Sequence, residues 1–390
     1  MRKVNILTLL PIFFAFFVMG FVDVVGIATE FVKADFGLSE QVSGFLPSMV
    51  FLWFLLLAIP SASIMNRIGR KNTVLLSMGI TLLGMIIPFV SYNLTTCFVA
   101  FAFLGIGNTI LQVSLNPLVS NFVKGEMLTS SLTIGQVLKA VSSFCGPFIA
   151  SFALLHLGNW QYIFPIFACI VLLSGLWLML SPVKREEKAS STSIKEAFSL
   201  LGNKNILLLF LGIVAVVGVD VGINMVSVKL LLERLGLDPT LHENIQSVSY
   251  APSVYFLCRT VGAFVGAAVL TKMNTMKYFK INMIGALVFM LPLFLVQNKI
   301  VILVFIGALG YSCSSIFSII FSMAMRIHPD KANEISGLMV TGIVGGAIVP
   351  PLMTAATRAF GNTQNGALSI LVLAIIYLIF LAFKIKEEVK

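Results

Sequence analysis

Twelve apolar runs, most of about 20 residues, follow one another with only short polar loops between them. They cover residues 6–28, 44–65, 73–92, 97–120, 132–155, 162–180, 206–228, 247–271, 281–297, 301–325, 337–357 and 368–383. A helix of about 20 apolar residues matches the hydrocarbon core of a bilayer, roughly 30 Å thick. Inside that core every backbone N–H and C=O must be satisfied within the segment, so a spanning run of this kind is a helix. The chain is 58% hydrophobic and only 11% charged, with a mean hydropathy of +1.01. Soluble domains carry about a quarter charged residues. No polar stretch is long enough for an extramembrane domain. The expected fold is an all-α membrane protein of twelve transmembrane helices.

The longest polar segment, 181–205, is rich in Lys, Glu and Ser, a linker composition. It divides the chain into an N-terminal six-helix half, 1–180, and a C-terminal six-helix half, 206–390. The halves echo each other, which makes them pseudo-symmetric. Gly20-Phe21-Val22-Asp23-Val24-Val25-Gly26 in the first span is matched by Gly218-Val219-Asp220-Val221-Gly222 in the seventh. Leu46-Pro47-Ser48-Met49-Val50-Phe51-Leu52 in the second is matched by Ala251-Pro252-Ser253-Val254-Tyr255-Phe256-Leu257 in the eighth. Gly105 and Gly107 open the fourth span much as Gly307 and Gly310 open the tenth. The fifth and eleventh spans are each expected to break at proline.

A net charge of +10 admits nucleic-acid binding, but the basic residues are scattered through short loops. With the N-terminus inside, nineteen of the 26 Lys and Arg residues fall in inner segments and five in outer loops. The excess of basic residues in cytoplasmic loops accounts for this, placing both termini in the cytoplasm and assigning no nucleic-acid partner. The five cysteines have no metal-ligand spacing, and no phosphate-binding loop or nucleophile elbow is present. The expectation is a protein without metal or cofactor and not an enzyme.

Asn66-Arg67-Ile68-Gly69-Arg70-Lys71 resembles the loop signature between the second and third spans of the major facilitator superfamily. Asn66 stands where that signature usually has aspartate, and Ala62 where it has glycine. Within the superfamily the chain is similar to the fucose and glucose/galactose permease-like sugar transporters. Ser336-Gly337-Leu338-Met339-Val340-Thr341, continuing through Gly345-Gly346 to Pro350-Pro351, resembles that branch's eleventh-span signature. Val217-Gly218-Val219-Asp220-Val221 is similar to its seventh-span pattern, Cys258-Arg259 with Gly262 to its eighth, and Leu111-Gln112-Val113-Ser114-Leu115-Asn116-Pro117 to its fourth. In the branch the fourth-span motif often carries glutamate where this chain has Gln112. The resemblance implies a secondary transporter with its site at mid-membrane.

Four ionisable residues lie within spans: Asp23, Lys139, Asp220 and Arg259. Charges at membrane depth are costly, so each is a functional candidate. Two acids and two bases can also neutralise one another across helices. Lys139 has two readings, a partner for Asp23 or a binding group for an anionic solute. The resemblance implies coupling acids in the first and fourth spans. Gln112 cannot titrate, which leaves Asp23 or Asp220 for that work.

Recognition of a sugar calls for amides and hydroxyls, and Gln112, Asn116, Gln136, Asn224 and Tyr311 are mid-span candidates. Arg67, Gly69, Arg70 and Lys71 are expected to latch cytoplasmic helix ends. The expectation is a secondary active transporter for a sugar or related small polar solute, working by alternating access with proton or sodium symport. The alternative is an exporter or exchanger of an organic anion such as a sugar acid. The expected setting is a bacterial inner membrane, with the protein as a monomer in the lipid bilayer.

Overall fold

The structure, a computed structural model, describes residues 6–38, 42, 45–182, 194–238, 247–248 and 250–385. The centre of the linker, 183–193, lies outside them. Twelve long helices follow the twelve apolar runs. In the first half α1 runs as Ile6–Met19, a 3-10 turn at Gly20–Asp23, and Val24–Phe36. It is followed by α2 (Phe45–Ile68), α3 (Arg70–Val90), α4 (Leu94–Ser120), α5 (Glu126–Leu157) and α6 (Ile163–Leu180). The second half comprises α7 (Lys204–Arg234), α8 (Ala251–Val269) and α9 (Thr275–Met290). Next, α10 runs as Lys299–Cys313 and Ile316–Ile327. In α11, Ala332–Thr341 and Gly345–Ala359 are joined by a 3-10 turn at Gly342–Val344, and α12 is Gln364–Lys384. Nine of the described helical segments are long and apolar enough to cross a membrane, with shorter apolar stretches at Leu9–Asp23 and Leu52–Ile68.

Asparagine starts many of these helices. The Asn93 side chain accepts the Thr96 N–H at 3.0 Å, and Thr96 Oγ1 accepts the Asn93 N–H at 3.0 Å. This capping box satisfies two orphan donors at the start of α4. The side chains of Asn203, Asn274 and Asn298 likewise accept first-turn N–H groups of α7, α9 and α10, without the reciprocal bond and without adding charge at the ends of spanning helices. Gly69 alone separates α2 from α3. Its φ of 84° belongs to glycine, so the basic loop is a one-residue turn.

Two expectations about breaks are corrected. The fifth helix is continuous from Glu126 to Leu157, and α11 is helical through Pro350 and Pro351. Freed backbone groups in a spanning helix can be satisfied by neighbours, so proline does not oblige a break. The interruption in α11 falls earlier, at Gly342–Val344, and α10 is interrupted at Ser314–Ser315. Several helices also outrun their apolar segments. The fifth, for example, starts at Glu126 rather than at 132.

Contacts divide the chain into two compact units. The first contains residues 1–124, 134–200 and 328–341, and the second 125–133, 201–327 and 342–390. Their bulk follows the two halves of the sequence, with the first turns of α5 and of α11 exchanged.

In the first unit an aromatic core forms around α1 and α6, where Phe21 stacks on Phe167 at 4.0 Å between ring centres. Near the end of α1, Asp35 accepts hydrogen bonds from the Tyr92 hydroxyl at 2.6 Å and from Trp160 Nε1 at 2.9 Å. One carboxylate thereby ties the ends of α1 and α3 to the start of α6. Burial, reinforced by Asp35, pushes the Tyr92 phenol well above its ordinary value, so the hydroxyl stays a donor.

The second unit has a counterpart at the end of α7. Glu233 accepts the Gln364 N–H at 2.6 Å, and Arg234 donates to the Phe294 carbonyl at 3.0 Å and to the Asn365 side chain. The tied positions are the matching ones of the repeat: the ends of α7 and α9 and the start of α12. One pair of close helix crossings also repeats. A Cβ on Gly105 of α4 would overlap the Val50 carbonyl of α2, and one on Gly310 of α10 the Tyr255 carbonyl of α8.

Candidate functional site

In the first unit, Asp23 closes the 3-10 turn midway along α1. The turn rests on α5. A side chain on Gly20 would overlap the Lys139 carbonyl and Ser142, which is why glycine precedes the acid at this place. Asp23 is exposed, and Ser143 Oγ donates to its Oδ2 at 2.5 Å. The same hydroxyl lies 2.9 Å from the Lys139 carbonyl.

Lys139 is half-buried and does not pair with Asp23. Its ammonium has no hydrogen-bond or ion-pair partner among the described residues. Gln136 is half-buried too, with its amide equally without a partner among them. Gln136, Lys139 and Ser143 are spaced i, i+3, i+7 and so share one face of α5. The wall of this unit therefore carries an amide, an ammonium, a hydroxyl and a carboxylate.

In the same unit, α4 carries amides at Asn108, Gln112 and Asn116, all buried. The Asn116 side chain donates to the Gln112 carbonyl at 3.3 Å. Gln112 Oε1 and Asn108 Nδ2 are buried without hydrogen-bond partners among the described residues. A buried amide left unpaired costs free energy unless a partner arrives.

The second unit treats its acid differently. Arg259 of α8 grips Asp220 of α7 with a fork, Nε to Oδ1 at 3.1 Å and Nη2 to Oδ2 at 2.8 Å. The hydroxyl of Tyr255, itself fully buried, donates to Oδ1 at 2.5 Å. Planar, two-point pairing of this kind is geometrically specific and stronger than a neutral hydrogen bond. Asn224, one turn beyond Asp220, and Tyr311 are both exposed, and neither side chain has a hydrogen-bond partner among the described residues.

The basic turn has several anchors within the first unit. Arg70 donates to Asn333 Oδ1 at 2.7 Å and to the Pro117 carbonyl at 2.9 Å, and it also bonds Asn121. Lys71 caps the end of α6 through the carbonyls of Met179 and Ser181, at 3.0 and 2.9 Å. Arg67 is exposed and makes none of these contacts. Asn66, where the superfamily signature has aspartate, donates to the buried Glu334 carboxylate at 2.5 Å and accepts from Asn333 at 2.6 Å. The acid sits on α11 instead of α2.

Among the side chains that hold these groups, Ser143, Tyr255, Asn121, Asn333 and Glu334 are absent from the sequence candidates. Spacing could have found two of them. Ser143 is one turn past Lys139, and Tyr255 one turn before Arg259. Asn333 and Glu334 lie outside the 337–357 apolar run, and only tertiary structure brings them to Asn66.

The sequence profile of the Major Facilitator Superfamily matches residues 11–351. Among curated relatives, the glucose/galactose transporter of Brucella abortus is 26% identical over 363 residues, covering 89% of this chain and 86% of that protein. A Helicobacter pylori relative is 24% identical, covering 95% of this chain and 94% of its own. Among solved structures, the fucose:proton symporter FucP of E. coli aligns over 99% of this chain and 100% of its own, with a TM-score of 0.82 and 17% identity. FucP in the outward conformation aligns with a TM-score of 0.81 and 18% identity. At this identity the structural likeness establishes the fold.

Proposed function

Because the chain belongs to the Major Facilitator Superfamily, we propose that this multi-pass membrane transporter carries a sugar or related small polar solute by alternating access, with proton symport through Asp23. The names of its relatives support a sugar-type solute. The observation that carries the coupling is the contrast between two mid-helix acids. Asp220 is locked by Arg259 and Tyr255, whereas Asp23 is exposed and held by one hydroxyl at a break in its helix. A coupling acid must be reachable by a proton and free to release it. Gln112 supplies no second acid on α4.

On this reading Gln112 and Gln136 are solute-binding amides of the first unit, with Asn224 and Tyr311 serving the second. Asn116 is a weaker binder, since its amide is spent on its own helix. The halves 1–180 and 206–390 are the moving bodies, and the Arg70 and Lys71 contacts are part of a conformational latch. The excess of inner Lys and Arg supports both termini inside, and the bacterial relatives support a bacterial cytoplasmic membrane. A monomer suffices for the mechanism.

The test is uptake by purified protein in liposomes, with neutral sugars and sugar acids offered under a proton gradient, a sodium gradient or neither. Accumulation that follows the pH gradient supports the reading. Accumulation that follows sodium alone would rule out proton symport through Asp23. A second reading, exchange or export of an organic anion, is favoured by the unpartnered Lys139 ammonium. It requires uptake that depends on anion loaded on the opposite side.

A further inference from the structure

We propose that the solute is a sugar monocarboxylate, bound through its carboxylate to the Lys139 ammonium, and that it crosses with one proton on Asp23 in an electroneutral cycle. This rests on the reading of Asp23 as the coupling acid and names the solute class for the same wall.

The argument is a count of charge on that wall. Asp23 and Lys139 lie on facing segments of α1 and α5, in contact at Gly20 and Ser143, and each is midway along its helix. They do not form an ion pair, so neither is consumed by the other. Gln112 adds no charge, and in the second unit Asp220 and Arg259 cancel.

Four loading states follow. The empty wall, carboxylate plus ammonium, is neutral overall. With a proton on Asp23 alone it is +1. With a sugar carboxylate on Lys139 alone it is −1. With both it is neutral again. Net charge at membrane depth is costly, so the empty and doubly loaded forms move more readily than the half-loaded ones. Coupling at one proton per solute emerges from this count without a further device.

A neutral sugar would leave the loaded wall at +1, with the ammonium bare. The flanking amide of Gln136 suits sugar hydroxyls, and the ammonium and amide together match a molecule with a carboxylate at one end and hydroxyls along the rest.

The experiment uses the full-length protein in liposomes with radiolabelled glucuronate and gluconate, and with glucose, galactose and fucose as neutral probes. Membrane voltage is clamped with potassium and valinomycin. Glucuronate or gluconate should accumulate about tenfold per pH unit, since one pH unit is a tenfold ratio of proton activity, and should ignore voltage. A cycle that moved one net charge would instead respond about fiftyfold to 100 mV. Lys139→Gln should abolish sugar-acid uptake, and Lys139→Arg should retain a measurable part of it. If Lys139→Gln fails to fold, the voltage response of the unaltered protein and the Lys139→Arg result still decide. Voltage-driven uptake of neutral sugars, indifferent to Lys139, would overturn the sugar-acid inference while leaving proton-coupled sugar transport standing. Voltage-sensitive uptake of sugar acids would overturn the electroneutral cycle. Uptake of neither class would overturn both readings.

Discussion

Arg259 holds both oxygens of Asp220, at 3.1 and 2.8 Å, and Tyr255 adds a third hydrogen bond to the same carboxylate. The arginine and aspartate side chains are 25% and 14% exposed, so the pair is largely withdrawn from solvent. Removing one partner strands the other. Asp220→Asn and Arg259→Met should each lower stability by about 3 kcal/mol, the scale for breaking a buried pair. The double variant should be less damaged than the sum, because no charge is left uncompensated. Thermal unfolding of the four proteins in detergent checks this, and additive losses would mean the pair does not act as a unit.

Asp23 has a different environment and calls for a different outcome. Its hydrogen bond from Ser143 is one that an asparagine oxygen can also accept. Asp23→Asn should therefore fold with a near-normal melting temperature and lose gradient-driven accumulation. Solute should still equilibrate down its own gradient. Full accumulation by this variant, under a pH gradient of one unit, would rule out Asp23 as the proton carrier.

The helices and their repeat were legible because a bilayer forces long apolar runs, and the pattern survives without tertiary information. The charged residues were legible for the same reason: a carboxylate such as Asp23 stands out against 58% hydrophobic composition. Their partners were not. Whether Lys139 reaches Asp23 depends on the rotation of α5 against the 3-10 turn at Gly20–Asp23, and periodicity does not report rotation. The fork between Asp220 and Arg259 was open as one of several neutralisations. The breaks escaped for a local reason. Proline marks a lost donor, but the helix yields at Gly342–Val344 and Ser314–Ser315, where glycine and serine sit between packed segments.

Glu334 supplies the acid that the basic turn lacks at Asn66. Its carboxylate is buried, at 6% exposure, and Asn66 is at 4%. Replacing Asn66 with leucine removes a donor from a buried acid, and such losses cost about 1–3 kcal/mol. Asn66→Asp should be worse than Asn66→Leu, since it brings a second carboxylate to 2.5 Å from the first. Asn66→Asp combined with Glu334→Gln restores one acid and one amide and should recover most of the loss. Melting temperatures of the three variants test the order, and failure of the double variant to recover would show that side-chain order, not charge count, governs the site.

Asp35 ties three helix ends through Tyr92 and Trp160, and the bond from Tyr92 is the one that pH can read. Burial pushes the Tyr92 phenol above its ordinary value of about 10. The folded protein thus holds that proton more tightly than the unfolded chain does. The sign follows from linkage: the contribution is intact below pH 10 and declines as pH rises above it, where only the unfolded chain has released the proton. Tyr92→Phe should cost about 0.5–1.5 kcal/mol at neutral pH, the net worth of one hydrogen bond. It should also flatten the fall in stability above pH 10. Melting temperatures of the two proteins between pH 8 and 11, values chosen to bracket the ordinary phenol, check both effects. Parallel losses in the two would show that Tyr92 contributes through packing on Trp160 and Phe36 alone.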